Sequence, residues 1–140
     1  MQCKRNFSAK REAIYRILSS TDSHPTAEWI YENLKTQIPD LSLGTVYRNL
    51  SVFKETGLVK SVGVINGHER FDANTFQHSH FVCNCCFKII DIPKSKTFVD
   101  QSTINNLENE CDVHIQNHNI TFYGLCGDCS KKISVESEDI

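Results

Sequence analysis

Apolar positions recur at helical spacing through the first third of the chain. Ala13, Ile14, Ile17 and Leu18 follow Ser8, which is placed as an N-cap, and predict a first helix. His24-Pro25-Thr26 interrupts the pattern and restarts it. Trp29, Ile30 and Leu34 then mark a second helix that ends near Pro39. Ser42 caps a third, whose stripe is Leu43, Val46, Leu50 and Phe53, with Gly57 placed as the residue after the C-cap. The period then shortens. Leu58 to Ile65 is rich in Val and Ile, Asn66-Gly67 is a hairpin turn, and His68 to Asp72 returns. Three helices followed by a two-stranded wing is the order of a winged helix-turn-helix, and residues 1–73 fit it.

After a short hinge (74–77) the pattern thins. His78 to Val82 and Lys88 to Ile92 predict strands on either side of a cysteine turn. Ser95 to Glu110 predicts a helix with a sparse apolar face of Phe98, Ile104 and Leu107. Val113 to Ile115 and Ile120 to Leu125 predict two further strands before a second cysteine turn, and Ser134 to Ile140 predicts a frayed acidic tail. The expected class is therefore α+β, with a second α/β domain over 78–133. Its apolar content is low for its size, and a metal clip and a dimer interface are the usual remedies.

Composition sharpens this picture. With 39% hydrophobic and 23% charged residues, the 140-residue chain can fill a core and is not a disordered tail. No run approaches the roughly 18 apolar residues of a membrane span, so a cytoplasmic protein without a membrane partner is expected. The net charge of −2 is unevenly spread. Residues 1–73 hold ten Lys+Arg against eight Asp+Glu, and the remainder holds five against nine. A nucleic-acid partner is thus expected at the N-terminal half.

The cysteines carry the first chemistry. An odd count of seven, with no secretory signal, argues for metal rather than a disulfide framework. Cys83-x-x-Cys86 and Cys126-x-x-Cys129 each place two thiolates on one tight turn. Two such turns close a tetrahedral site suited to structural Zn²⁺, and its binding energy would be folding energy. Cys3, Cys85 and Cys111 read as free thiols, although Cys85 could substitute for a neighbour. A second constellation is His78-x-His80, whose side chains share one strand face. Asp72 closes the wing before it, Asp91 lies on the next strand, and His24 opens the second helix. Three imidazoles and two carboxylates suit Fe²⁺, Mn²⁺ or Zn²⁺. Solvated histidines are the bland alternative. On the third helix, Thr45, Tyr47, Arg48 and Asn49 are expected on the exposed face, where Arg reads guanine, Asn reads adenine, and Tyr or Thr meets phosphate or thymine methyl.

At this point several segments together resemble the ferric uptake regulator family. They are His24-Pro25-Thr26-Ala27-Glu28, Thr45-Val46-Tyr47-Arg48-Asn49-Leu50, Gly57-Leu58-Val59, Arg70-Phe71-Asp72, His78-x-His80-x-x-Cys83-x-x-Cys86 and Tyr123-Gly124-x-Cys126-x-x-Cys129. The resemblance runs from about Ser8 to Lys132. It implies a homodimeric transcription repressor with an N-terminal DNA-binding domain and a C-terminal dimerisation domain. It also implies structural zinc on Cys83, Cys86, Cys126 and Cys129, and a regulatory metal on His24, Asp72, His78, His80 and Asp91. Aspartate at 72 and 91 is similar to the peroxide-sensing branch. That implies Fe²⁺ or Mn²⁺ as regulatory metal and iron-dependent oxidation of the ligands His24 and His78, a stoichiometric signal and not an enzyme activity. Arg48 instead resembles the iron and zinc regulators. Gln77, Ser79 and Gln101 replace ligands of a further metal site of some relatives, leaving His118. The N-terminus is short, and the first helix of many relatives is expected to be missing or reduced, which either removes some DNA contact or leaves it to Lys4, Arg5, Lys10 and Arg11. With Ser42 at the start of the third helix, the expected DNA-contacting set is Arg11, Ser42, Thr45, Tyr47, Arg48 and Asn49, on a double-stranded operator.

Three other readings stay open. An iron- or zinc-responsive uptake repressor of the same family is favoured by Arg48. A thiol switch would use the zinc cysteines or Cys85 and Cys111. A metalloenzyme would leave the winged helix unexplained.

Overall fold

The computed structural model describes residues 2–96 and 99–138, with side chains described for 9–96 and 99–134. The predicted apolar face around Phe98, the thiol of Cys3 and the charges of Lys4, Arg5, Glu136, Glu138 and Asp139 lie outside the described residues and side chains. Two compact units are present, Met1–Phe76 and Gln77–Ile140. No helix among the described residues is long and apolar enough to cross a membrane.

The first unit is a winged helix-turn-helix. Helix α1 (Gln2–Ser19) begins ahead of Ser8, which lies inside it and is not its cap. Helix α2 (Ala27–Leu34) is capped by Thr26, whose side chain accepts from Trp29 N, and α3 (Leu43–Glu55) is capped by Ser42. Gly57 follows α3 at φ 77°, where a side chain would be strained. Strands β1 (Lys60–Ile65) and β2 (His68–Asp72) pair antiparallel. Asn66 and Gly67, at φ 53° and 81°, supply the two positive φ values of a tight primed turn. The core is Ile14 and Leu18 of α1, Ala27, Ile30 and Leu34 of α2, Val46, Leu50 and Phe53 of α3, with Leu41, Val59 and Phe71. Burying each large side chain contributes about 1.5–3 kcal/mol, so the stripe that defines each helix also fixes how the three pack.

The second unit is built on a three-stranded sheet of order β4-β3-β5. Strand β3 (Ser79–Cys83) pairs antiparallel with β4 (Ile89–Ile92) and parallel with β5 (Thr121–Gly124). Helix α4 (Gln101–Cys111) starts later than Ser95. A 3-10 turn (Lys94–Lys96) follows Pro93, and Asp100 then caps the helix by accepting from Thr103 N at 2.8 Å. Val113 to Ile115 does not form the expected strand. Its backbone is engaged by the end of α4: Val113 N–H donates to Glu108 O (3.2 Å) and Ile115 N–H to the Glu108 carboxylate (3.1 Å). Helix α5 (Gly127–Glu138) occupies the second cysteine turn and much of the segment expected to fray. Asp128 in its first turn complements the helix dipole. Among the described residues, buried apolar side chains are few here: Val82, Ile89 and three cysteines, with none on α4.

Candidate metal centres and nucleic-acid interface

The four cysteines of the two Cys-x-x-Cys pairs are brought together, their Sγ atoms all within 4.8 Å of one another. The turn after β3 supplies Cys83 and Cys86, and the start of α5 supplies Cys126 and Cys129. Backbone bonds hold the turns: Asn84 N–H donates to Gly124 O at 2.7 Å, Cys83 N–H to Lys88 O at 3.0 Å, and Ser130 N–H to Cys126 O at 2.8 Å. Phe87 closes the first turn at φ 62°. Cys83, Cys126 and Cys129 are buried, while Cys86 is exposed. Backbone N–H groups of Cys86 and then Cys126 pull the Cys83 thiol down to about 6, so it carries thiolate character at neutral pH. The Cys129 thiol is pushed up, first by its hydrogen bond with Cys126 and then by burial. Four cysteine sulfurs within 4.8 Å of one another are a donor set that suits Zn²⁺.

The sheet also gathers histidines. In the β3–β4 register His80 faces Asp91, and Asp91 Oδ1 lies 3.4 Å from His80 Nε2 and 3.2 Å from His78 Nε2. His78 precedes the strand, yet its ring stacks edge-on against His80 at 4.5 Å between centroids. The opposite sheet face carries a cross-strand row of Ile90, Phe81 and Phe122, of which Ile90 and Phe122 are exposed.

In the first unit, His24 and Asp72 form a buried pair, Nε2 to Oδ2 at 3.3 Å. His24 sits at φ 55° in the loop before α2. Arg70 staples that loop to β2: its Nε donates to His24 O and its Nη2 to Ser23 O (2.7 Å), while Phe71 N–H donates to Pro25 O (3.1 Å). Asp72 is fixed in turn, since its Oδ1 accepts from Asn74 N–H at 2.8 Å while Oδ2 meets the imidazole. Arg70 and Asn74 are positioning residues to which the sequence reading gave no role. The signal for Arg70 was its place two residues before Asp72, where a strand returns it to the same face.

The expected exposure of the third helix needs correction. Tyr47 and Arg48 are exposed on α3, but Thr45 and Asn49 are buried. Asn49 Oδ1 accepts from Arg11 Nε at 3.0 Å and its Nδ2 donates to Thr45 O at 2.9 Å, so it ties α3 to α1. Arg11 is thereby half-buried. Lys10 is held by Asp40 at 3.0 Å. Thr45 accepts from Arg48 Nη2 at 3.0 Å and lies 2.9 Å from the Ser42 hydroxyl, which itself accepts from Thr45 N–H. The Tyr47 hydroxyl donates to Glu28 of α2. Glu28, given no role by the sequence reading, thus orients the exposed ring. That bond holds the Glu28 carboxyl below its ordinary value and pushes the Tyr47 phenol up.

Gln77 Nε2 lies 3.2 Å from His118 Nε2, beside a cavity of about 110 Å³ also lined by His78, Ser79 and Lys94. No further group of three or more metal-ligating side chains is found among the described residues.

The chain is similar to known proteins along most of its length. The peroxide-responsive repressor PerR of Staphylococcus aureus is 37% identical over 124 residues, covering 88% of this chain and 81% of that protein. The crystal structure of the Campylobacter jejuni peroxide stress regulator aligns with a TM-score of 0.75 at 26% identity, over 91% of this chain and 94% of that one. The Helicobacter pylori ferric uptake regulator, described with three functional metal-binding sites, shares the fold at a TM-score of 0.73 and 21% identity, over 92% of this chain and 88% of that one. The family model for the ferric uptake regulators matches residues 4–123, a span that holds nearly all of the winged helix, the histidines and aspartates named above and the first cysteine pair, and the chain belongs to that family.

Proposed function

We propose that this protein is a metal-dependent DNA-binding transcriptional repressor that senses hydrogen peroxide, acting as a cytoplasmic homodimer on a double-stranded operator. The observation that carries the sensing role is the donor set: His78 and His80 share Asp91 on one sheet, and His24 is buried against Asp72 beside the wing. Aspartate at both carboxylate positions and the 37% identity to a peroxide-responsive repressor support the same reading.

In this reading His24, Asp72, His78, His80 and Asp91 hold one regulatory ion in common. Three imidazoles and two carboxylates suit Fe²⁺ or Mn²⁺, with one position left for a small ligand. Iron(II) held by these residues would supply redox chemistry toward peroxide; one peroxide oxygen would enter an imidazole C–H bond and the other leave as water, the two electrons coming from the imidazole and none, net, from the iron. The chain's own groups set which histidine is exposed to that oxidant. Arg70 and Asn74 fix the loop and the carboxylate around His24, and Asp91 orients both sheet histidines. Modification of His24 or His78 would weaken their donation and release the ion. The four-cysteine site holds Zn²⁺ and closes the thin core of the second unit. The exposed row across its sheet, Ile90 and Phe122 with Phe81, is the proposed contact between copies. Helix α3, capped by Ser42, enters the major groove with Tyr47 and Arg48 leading. Thr45, Asn49 and Arg11 act behind them by holding that helix in place.

The test is mass spectrometry of Fe²⁺-loaded protein after brief peroxide exposure, beside Mn²⁺-loaded and chelated controls. One added oxygen on the peptide holding His24 or His78, with iron only, is expected. Unmodified histidines, with DNA binding still tuned by metal concentration, would make this an iron- or zinc-responsive repressor, the reading that Arg48 favours.

A further inference from the structure

The turn of the wing carries a chemistry that none of the sites above uses. Asn66 and Gly67 are its two central residues, both exposed, at φ 53° and 81°. A two-residue primed turn demands positive φ twice, and asparagine is among the few residues with a side chain that accept it. Aspartate or glycine at position 66 would make the same turn. The backbone therefore does not need the amide.

Nor is the amide engaged elsewhere. Among the described residues, neither the Asn66 side chain nor Gly67 N–H makes a hydrogen bond. The space around Gly67 is open, with no heavy atom within 4 Å of where a Cβ would stand. Other asparagine amides are held: Asn33 donates to Trp29 O and Asn49 to Thr45 O, while Asn74 accepts from Phe76 N–H and Asn105 from the Gln101 amide. Asn66 is also the one asparagine in the sequence followed by glycine. Every other is followed by a residue whose Cβ crowds the approach of its own nitrogen to the preceding side chain.

We propose that Asn66 is a site of spontaneous deamidation. The Gly67 nitrogen gives its proton to a solvent base and attacks Asn66 Cγ. The bond from Cγ to the side-chain nitrogen breaks, and that nitrogen takes up a proton and leaves as ammonia. Water then opens the resulting five-membered imide at either carbonyl, giving aspartate or isoaspartate. One water is consumed, one ammonia is released, and nothing is oxidised or reduced. The tip of the wing gains one negative charge.

That charge falls beside the helix assigned above to the major groove, and this consequence rests on the DNA-binding reading. His68, the residue after Gly67, lies 3.8 Å from Glu28, which holds the Tyr47 hydroxyl. Glu69 is paired with Lys54 of α3 at 2.8 Å. The turn thus ends next to the exposed part of α3, where a further carboxylate repels phosphate.

The full chain is kept folded in mildly alkaline buffer at body temperature and then digested with trypsin. The peptide 61–70 is followed by mass spectrometry, beside a chain aged in urea and an Asn66→Gly variant. A gain of one mass unit, resolving into two isomers, is expected in the folded chain ahead of every other asparagine. None is expected at this position in Asn66→Gly. A peptide that stays unmodified while the chain is folded, changes only in urea, or changes no sooner than the other asparagine peptides overturns the proposal. The charge is read separately with Asn66→Asp and a duplex selected on the metal-loaded unmodified protein. One added charge near a phosphate is expected to weaken binding about threefold at low salt, and the difference is expected to close as salt is added. Equal affinity at low salt overturns the consequence for DNA. A duplex that never binds the unmodified chain overturns the DNA-binding reading, while the mass measurement still decides the deamidation.

Discussion

Asn49 shows what a polar residue does when helix geometry turns it inward. Its side chain is 1% exposed, and both ends of the amide are used, by Arg11 and by the Thr45 carbonyl. Removing one partner of a buried pair leaves the other unsatisfied, at a cost of about 1–3 kcal/mol. Asn49→Ala is therefore expected to lower stability by that amount in chemical denaturation. Unchanged stability with reduced DNA affinity would return Asn49 to the role of a base reader. Sorting α3 by polarity alone missed this, because Thr45 and Asn49 flank Val46 and Leu50 on a buried face wider than the apolar stripe. Glu28 and Tyr47 make a second case. Glu28's folded pKa lies below its ordinary 4.5, so the bond contributes fully above that value and fades as pH falls through the folded one. At 40% side-chain exposure solvent screens the effect, so the readout is the titration itself and not stability. In Tyr47→Phe the Glu28 midpoint, followed by NMR, is expected to rise toward 4.5. An unmoved midpoint would mean that the hydroxyl does not orient on Glu28 in solution.

At the scale of elements, the winged helix was legible because each signal is local. Ser42 caps α3, Gly57 ends it, and Asn66-Gly67 turns the wing, each where the residue type alone dictates the backbone. Ser42→Ala is expected to cost about 1 kcal/mol and Ser42→Gly only a few tenths, as read by thermal unfolding. Equal losses would show that the hydroxyl matters beyond the cap, through Thr45 and Arg48. The second unit was less legible because its elements depend on distant partners. Helix α5 has a weak apolar pattern and forms around the cysteine turn, and residues 113–115 spend their N–H groups on Glu108 instead of on a neighbouring strand. The cysteine spacing did foretell that four sulfurs meet. What spacing could not reveal is that one of them, Cys86, is exposed, or that His24 is held by Arg70. Removal of zinc is expected to raise amide exchange across β3, β4, β5 and the start of α5, while α1 to α3 keep their protection. Structural zinc is worth on the order of 10 kcal/mol in small domains, more than so thin a core can replace. Uniform protection after zinc loss would make the metal ornamental.

For the whole molecule, the proposed function requires that metal and DNA communicate. The donor residues divide between the units, His24 and Asp72 in one and His78, His80 and Asp91 in the other. An ion held by both sets would favour one arrangement of the DNA-reading units over others, and only that differential affinity can shift the equilibrium. Linkage then fixes a quantitative expectation. If Mn²⁺ raises affinity for an operator duplex by some factor, the duplex must raise affinity for Mn²⁺ by the same factor, a coupling of about 1–3 kcal/mol in typical cases. Manganese is the suitable probe because, in this reading, it supports DNA binding without histidine oxidation. Titrating Mn²⁺ with and without a duplex selected on the metal-loaded protein, and the duplex with and without Mn²⁺, measures both ratios. They are expected to agree and to exceed unity. His24→Ala is expected to bring both to one, while the duplex still binds with the weaker, salt-sensitive affinity that α3 and the basic N-terminal half supply on their own. Ratios already equal to one in the unmodified protein would mean that the two histidine–aspartate clusters do not share an ion that governs DNA binding.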